Sequence, residues 1–436
     1  MRLLAHGLGG RSDLPIPFWL ALYGAGITVV LSFAALGLLW PRPRLRGAAA
    51  GRPLPPWLST FLQSRALLAV ARVVVLAITL VVVAVAAAGP ERVVNNLAPY
   101  VVYIVFWAGL VVVSLLVGPV WRHVNPLRTL HGALSRVGAH DPAVGSAALP
   151  DSVGYWPAAA GLAVFVWLEL VPPWRAEPLT VLVFLITYGL VHLVAAQRYG
   201  ASWFERAEAF EVYFTMVGRL NPIGRREDGV LVVRNPLNGI AALPEGAGLV
   251  TVMAVLLGST GFDGLTRTRL WKDSVDADSI VLGTLGLLGT IVVVLVTFTA
   301  AAQASGRLGG VDPATAPGRF AHSVVPIAVG YAVAHYFSLA ILDGQQALVL
   351  ASDPFGRGAD LFGTASWGIN YDLVSTGAIA LIQVGAIVVG HVIGVVSAHD
   401  RAVGTVPARL AGRSQLPLLL VMVGYTVGGV ALLTGA

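Results

Sequence analysis

Long apolar segments dominate the pattern of hydrophobic and polar positions along this chain, and polar residues gather in the stretches between them. A helix rises about 1.5 Å per residue, so about 20 residues cross a hydrocarbon core about 30 Å thick. Inside lipid, a helix satisfies its own backbone hydrogen bonds within one segment. The pattern therefore predicts an all-α, polytopic transmembrane helix bundle, forming one integral membrane domain over residues 1–436. Its ten predicted spans lie near residues 17–40, 66–88, 97–121, 153–172, 176–197, 245–262, 279–302, 320–342, 371–397 and 414–434.

Two of the polar stretches are longer than simple connections. Residues 198–244 include WFERAEAFEVYFTMVGRL, whose aromatic residues recur at near-helical spacing. This spacing predicts an amphipathic helix at the inner membrane interface, and GVLVV at 229–233 predicts a short strand in a small hairpin. Residues 343–372 form a predicted outer loop rich in Gly and Asp. Loops longer than about 12–15 residues are often functional.

An Asn-Pro pair occurs three times on the predicted cytoplasmic side, at Asn125-Pro126, Asn221-Pro222 and Asn235-Pro236. Asparagine caps helix starts, and proline suits the first helical position. The three pairs therefore predict helix entries. The alternative is a shared cytoplasmic structure between related half-bundles.

Composition and charge narrow the class further. The chain is 56% hydrophobic and 11% charged. It contains no cysteine, which excludes disulfides, thiolate catalysis, iron–sulfur clusters and covalent c-type haem. Most of its 28 Lys and Arg residues fall in alternate connections, which predicts both termini outside the membrane. The arginines form no patch, so we expect the lipid bilayer and no nucleic acid as partner. The excess of Arg over Lys suits the plasma membrane of a GC-rich bacterium.

His335 and His391 lie in the eighth and ninth predicted spans, which are antiparallel neighbours in sequence, and two more histidines lie near the cytoplasmic ends of the same helices. Imidazole binds metal or haem and relays protons near neutral pH, and ionisable groups inside a membrane are costly. The interpretations are structural histidines bonded to a backbone carbonyl or to a neighbour, a metal or haem site, or a path for protons or substrate. The four candidate metal ligands are His335, His391, His322 and His399.

Acidic residues supply further candidates. Glu169 lies near the outer end of the fourth span, where a carboxylate must pair or take a proton, and joins His335 and His391 as a candidate catalytic residue. The ExxExxE repeat of residues 205–211 predicts a solvated helix face, with cation binding as the alternative. The outer loop carries four aspartates that predict a vestibule for a cation or polar substrate, or else a solvated loop. They are Asp343, Asp353, Asp360 and Asp372.

Three stretches resemble the bacterial polytopic membrane proteins known as fenitrothion hydrolases. They are AHGLGGRSDLPIPFWLALYGAG (5–26), GPVWRHVNPLRTL (118–130) and VGRLNPIGRR (217–226). The resemblance implies hydrolysis of a lipophilic organophosphate phosphotriester with release of a phenol. Such hydrolysis uses a metal-activated hydroxide. In that case His335, His391 and an outer aspartate would hold a divalent metal ion or its water.

Two other functions stay open. One is a transporter or proton-coupled permease, in which the histidines and Glu169 relay protons or line a path. The other is a redox subunit that binds haem or copper and works beside other membrane subunits.

Overall fold

The computed structural model of this protein describes residues 16–139, 141–276 and 278–433. Residues 5–15 of the first resembling stretch lie outside these ranges. Ten helical stretches of the described chain are long and apolar enough to cross a membrane, which confirms the predicted all-α polytopic bundle. They are Phe18–Leu39, Pro56–Ala88, Leu97–Val117, Asp151–Leu170, Pro178–Tyr199, Leu249–Arg267, Ile280–Gly309, Ala316–Ser352, Thr376–Thr405 and Ala408–Leu433.

Helices make up nearly all of the regular structure in the described ranges. A π-helix, Val101–Gly109, lies between the α-helices Leu97–Tyr100 and Leu110–Val117. The helices are α1 (Phe18–Leu39), α2 (Pro56–Leu62), α3 (Arg65–Ala88), α4 (Leu97–Tyr100), α5 (Leu110–Val117), α6 (Val120–Val124), α7 (Pro126–Val137), α8 (Trp156–Leu170), α9 (Pro178–Tyr199), α10 (Ala201–Arg206), α11 (Ala209–Gly218), α12 (Pro236–Ala241), α13 (Leu249–Arg267), α14 (Arg269–Ser274), α15 (Ile280–Gly309), α16 (Ala316–Phe320), α17 (Val325–Ser352), α18 (Thr376–Thr405), α19 (Ala408–Ser414) and α20 (Leu416–Leu433). The strands are β1 (Arg52–Pro53), β2 (Ile223–Arg225) and β3 (Leu231–Val233).

The described residues group into two compact units. Unit 1 comprises residues 53–218 and 338–373, and unit 2 comprises residues 16–52, 219–337 and 374–433. Helix α17 begins in unit 2 and ends in unit 1.

Helix α11 lies at the centre of unit 1, packed against α5, α6 and α8. Every residue of α11 except Thr215 is buried. Its rings meet those of neighbouring elements, with centroids 4.8 Å apart for Phe210 and Phe106 and 5.0 Å apart for Tyr213 and Trp107. A helix that is apolar on all sides is buried. The segment expected to be one interfacial amphipathic helix is therefore two short helices, α10 and α11, and the second belongs to the core.

Unit 2 contains a very close approach of α17 and α18. A Cβ built on Gly330 would lie 2.5 Å from the carbonyl oxygen of Ala386, and one on Gly390 would lie 2.6 Å from that of Pro326. Neither glycine can carry a side chain without moving backbone. Small residues at such crossings let membrane helices approach closely, since packing and not solvent exclusion drives their association.

The same unit holds the predicted hairpin. Strand β2 pairs antiparallel with β3, and Gly224 faces Val232 in the register. The order in the sheet is β1-β3-β2. The predicted hairpin is thus confirmed, with its second strand limited to Leu231–Val233 of the GVLVV segment.

Two of the three Asn-Pro pairs begin helices, as predicted. The side-chain oxygens of Asn125 and Asn235 each accept a hydrogen bond of 2.9 Å from the amide two residues on, at the starts of α7 and α12. Asn221 makes the same local bond at 2.7 Å to Ile223, but strand β2 begins there. A capping asparagine stabilises a turn, and the residues after it decide between helix and strand.

Candidate functional site

Unit 2 contains a cavity of about 400 Å³ between α13, α15, α17 and α20. This volume lies within the range of pockets that hold small organic molecules. Most of its wall is apolar side chain or glycine. The polar side chains on the wall are Thr260, Arg267, Thr290, Tyr331, His335 and Tyr425.

Three ionisable side chains form a cluster beside this cavity. The Oδ2 atom of Asp263 accepts hydrogen bonds from Nη2 of Arg267 at 2.6 Å and from Nε2 of His335 at 3.0 Å. Asp263 and Arg267 share a face of α13 because they are four residues apart, and His335 approaches from α17. Both Asp263 and His335 are only 6% exposed. A buried charge is costly unless it is paired, and here the carboxylate and guanidinium compensate each other.

The cluster also fixes the tautomer of His335 when this residue is neutral. Nε2 faces a carboxylate, which only accepts, so Nε2 carries the proton. Nδ1 then carries the lone pair and lies 3.5 Å from Nη2 of Arg267, a donor. The imidazole thus lies between a carboxylate and a guanidinium.

Two tyrosines complete the polar part of the wall. The hydroxyl of Tyr331 donates to the carbonyl oxygen of Tyr425 at 2.6 Å. Its ring occupies the space above Gly429, where an added Cβ would overlap the hydroxyl oxygen at 1.4 Å. Tyr331 lies one helical turn before His335, so the two side chains share a face of α17.

The structure places His391 against Tyr331, with ring centroids 5.7 Å apart. Nδ1 of His391 lies 2.9 Å from the carbonyl oxygen of Ile387. Its Nε2 is buried and has no hydrogen-bond partner among the described residues. His391 does not line the cavity.

Both ring nitrogens of His322 and of His399 face acceptors. Those of His322 lie 2.9 Å and 3.3 Å from the carbonyl oxygens of Arg319 and Ser397. Those of His399 lie 2.9 Å from the amide oxygen of Gln415 and 3.0 Å from the carbonyl oxygen of Trp40. These contacts match the structural interpretation of these two histidines.

The described residues do not fit the implied metal. No group of three or more His, Cys, Asp or Glu side chains in the described ranges could hold a metal ion. Zinc and haem need ligands that converge on one point.

Glu169 belongs to unit 1, on α8, and is 4% exposed. Burial, together with the charge of Glu169, raises the pKa of Tyr213 above its ordinary value. The candidate therefore sits among the aromatic residues around α11.

The four aspartates also belong to unit 1, where α17 continues to Ser352 instead of ending near residue 342. Asp343 is consequently helical and half-buried. The carboxylate of Asp353 accepts from the backbone amides of Arg357 and Gly358 at 2.8 Å and 2.7 Å, and these bonds lower its pKa. Asp360 likewise accepts from the amide of Ala365 at 3.0 Å, whereas Asp372 is exposed. Two of the four thus stabilise the loop itself.

The ExxExxE repeat predicts a solvated helix face, but two of its three glutamates, Glu208 and Glu211, are buried in unit 1. Glu211 receives two bonds from Arg128, at 2.7 Å from Nε and 2.6 Å from Nη2. Glu208 accepts from the amides of Phe210 and Glu211 at 3.2 Å and 2.7 Å and from the hydroxyl of Tyr188. Only Glu205 is exposed. The helix breaks before Glu208, so the spacing does not describe one continuous face.

Burial raises the pKa of Glu208 from 4.5 to about 7, and the charge of Glu211 adds to this. A carboxyl whose pKa is higher in the folded state stabilises the fold when protonated. That contribution is complete below pH 4.5 and is lost as pH rises through 7, on the order of 3 kcal/mol in total. We expect the detergent-purified protein to unfold at a higher temperature at pH 5 than at pH 8, with Glu208→Gln reducing the difference. Glu205→Gln is the control, and an equal reduction by both variants would contradict the assignment.

The fold defines a multi-pass membrane protein, and the site places a carboxylate, a guanidinium and an imidazole beside a cavity in one of its two units. Comparison of the chain with protein-family models, with curated proteins and with solved structures gives no match.

Proposed function

We propose that this protein is a proton-coupled membrane transporter whose site is the Asp263–Arg267–His335 cluster. One observation carries this proposal: a buried carboxylate–imidazole contact of 3.0 Å adjoins a cavity large enough for a small molecule, within apolar helices. Ionisable residues inside membrane segments mark substrate paths and proton relays. Histidine suits such a relay because its ordinary pKa lies near neutral pH. We place the transporter in the plasma membrane of a GC-rich bacterium.

In this proposal the cluster binds one proton, at Nδ1 of His335. Neutral His335 keeps its lone pair on Nδ1, and Asp263 stabilises the imidazolium that forms when a proton binds there. The carboxylate stays bonded to Nε2 in both states. A proton can thus be taken up and released without either state leaving the carboxylate unpaired.

The test is proton movement in liposomes that contain the purified protein and a pH-sensitive dye. We expect one of an organic anion, an organic cation or a neutral sugar to drive protein-dependent proton flux. Loss of a charge-assisted hydrogen bond costs about 1.5–3 kcal/mol, so Asp263→Asn should lower this flux about tenfold or more. Asp273→Asn, at an exposed position of α14, is the control. His335→Gln, which keeps the charge balance, should lose the proton flux while eluting as a folded protein. The absence of proton flux with all three solutes would contradict the proposal.

The second candidate is the organophosphate hydrolase that the resemblance implies. The same contact favours it, since a carboxylate that orients an imidazole is the arrangement of a general base. His335 would take a proton from water, the resulting oxygen would attack phosphorus, and the phenolate would leave. The apolar cavity suits a lipophilic phosphotriester. Release of nitrophenol from fenitrothion by the wild type, abolished in His335→Ala, would favour this function over transport.

A further inference from the structure

We propose that the cavity of unit 2 binds a small organic monoanion together with one proton, the anion on Arg267 and the proton on His335. This inference rests on the proposed function, because it names the class of substrate for the same site. It follows from three features of the cluster: its charge, its hydrogen bonds and the chemistry of the cavity wall.

The charge of the cluster permits two neutral states. With His335 neutral, the charges of Asp263 and Arg267 cancel. A proton on His335 gives the cluster a charge of +1, and one bound monoanion returns it to zero. Because an uncompensated charge in a buried site costs several kcal/mol, the proton and the anion bind together better than either binds alone. A dianion would leave a net negative charge and is disfavoured.

The hydrogen bonds couple the two events directly. The lone pair of His335 is on Nδ1, which faces Nη2 of Arg267 at 3.5 Å. Once Nδ1 carries a proton, both atoms are donors and their contact is unfavourable. Arg267 already lines the cavity, so its donors turn there to a new acceptor. Guanidinium donors match the two oxygens of a carboxylate.

Titratable groups of its own helix and of neighbouring helices also lie near His335. On its own helix, Tyr336 lies with its ring centroid 4.5 Å away, and Tyr331 is one turn before. Helix α20 contributes Tyr425, whose hydroxyl is bonded to Thr297, and α18 contributes His391, which packs on Tyr331. The residues of α15 on the cavity wall are Gly286, Gly289, Thr290, Val293 and Val294, which do not titrate. In the described part of the chain, the charged side chains in contact with His335 include Asp263 and Arg267 of α13.

The chemistry of the cavity wall determines which kind of organic group the anion carries. The cavity has a volume of about 400 Å³ and a mainly apolar wall, which includes Leu257, Leu265, Val293 and Leu432. An aromatic or branched carboxylate fills such a space and buries its apolar surface there. Small inorganic anions lack this contribution.

Calorimetry with benzoate tests the inference on the detergent-purified full chain. Titrations in two buffers of different ionisation heat measure the protons taken up with the ligand. We expect about one proton per benzoate, and an affinity that weakens as the pH rises, by linkage. Benzamide, the neutral analogue of similar shape, should bind at least tenfold more weakly.

Variants assign the two roles. His335→Gln should remove the proton uptake and the pH dependence of benzoate binding. The double variant Asp263→Asn with Arg267→Gln keeps the cluster neutral, so it should fold and lose benzoate binding. Arg269→Gln, at an exposed position of α14, is the matched control and should keep both affinity and proton uptake.

Three results would overturn the inference: benzoate binding without proton uptake, equal binding of benzamide, or full binding in the double variant. Failure of the proposed function looks different. Benzoate binding with proton uptake but without flux in liposomes would contradict transport and support the anion site. Proton flux driven by a cation or a sugar, without benzoate binding, would support transport and contradict the anion site.

Discussion

Replacing Arg128 by methionine is expected to destabilise unit 1 by about 3–5 kcal/mol, because it leaves the carboxylate of Glu211 buried without its counter-ion. The side chain of Glu211 is 1% exposed and bonds both to Nε and to Nη2 of Arg128. Methionine keeps most of the apolar contact with the ring of Phe204, above which the guanidinium lies at 4.8 Å. The loss of stability therefore measures the effect of removing the positive charge of Arg128.

The measurement is the unfolding midpoint of the detergent-purified variant against wild type. Arg122→Met is the matched control, since Arg122 pairs with Glu205 and both side chains are 43% exposed. An exposed pair contributes at most about 1 kcal/mol. Adding Glu211→Leu to Arg128→Met should restore much of the stability, because replacing both partners removes the unpaired charge. Equal destabilisation by Arg128→Met and Arg122→Met would contradict the view that the cost comes from the buried, unpaired carboxylate of Glu211.

The second large effect is expected at the crossing of α17 and α18. Gly390→Val should destabilise unit 2 by about 3 kcal/mol or more, at the upper end of what overpacking costs. The new Cβ would lie 2.6 Å from the carbonyl oxygen of Pro326 and 3.2 Å from Cα of Gly330. These are backbone atoms, so no rotamer change relieves the clash and the helices must separate.

Gly385→Val is the control on the same helix, because a Cβ there meets nothing within 4 Å. Thermal unfolding of the two variants measures the difference. Since α17 also carries Tyr331 and His335, Gly390→Val should in addition weaken any ligand binding at the cavity. If both valine variants unfold at the same temperature, the two helices are not in backbone contact at Gly390.

The sequence predicted the spans well and the cluster poorly, for one physical reason. Charged residues lower the hydropathy of a segment, and the sixth predicted span ends at residue 262, just before Asp263. In the structure α13 continues to Arg267, because a carboxylate and a guanidinium four residues apart compensate each other on one helix face. That spacing, read together with His335, was the available signal.

Partners that come from distant parts of the chain could not be predicted. His399 lies just beyond the predicted ninth span, and its ring nitrogens contact the carbonyl oxygen of Trp40 and the amide oxygen of Gln415. Likewise, the repeat at residues 205–211 suggested one solvated face. Whether a carboxylate is buried depends on the helix break at Ala207 and on packing against α5, α6 and α8. The periodicity of the sequence gives neither the break nor the packing.

Helix α11 bears on how the chain is assembled during synthesis. Its ten residues span about 15 Å, half of a bilayer crossing, so it is too short to be inserted as a stop-transfer segment. Its start is held by Glu208, which no lipid environment would solvate. We therefore expect α11 to pack after its neighbours α5, α6 and α8 have been inserted. Until then unit 1 would expose apolar surface to chaperones and quality-control proteases.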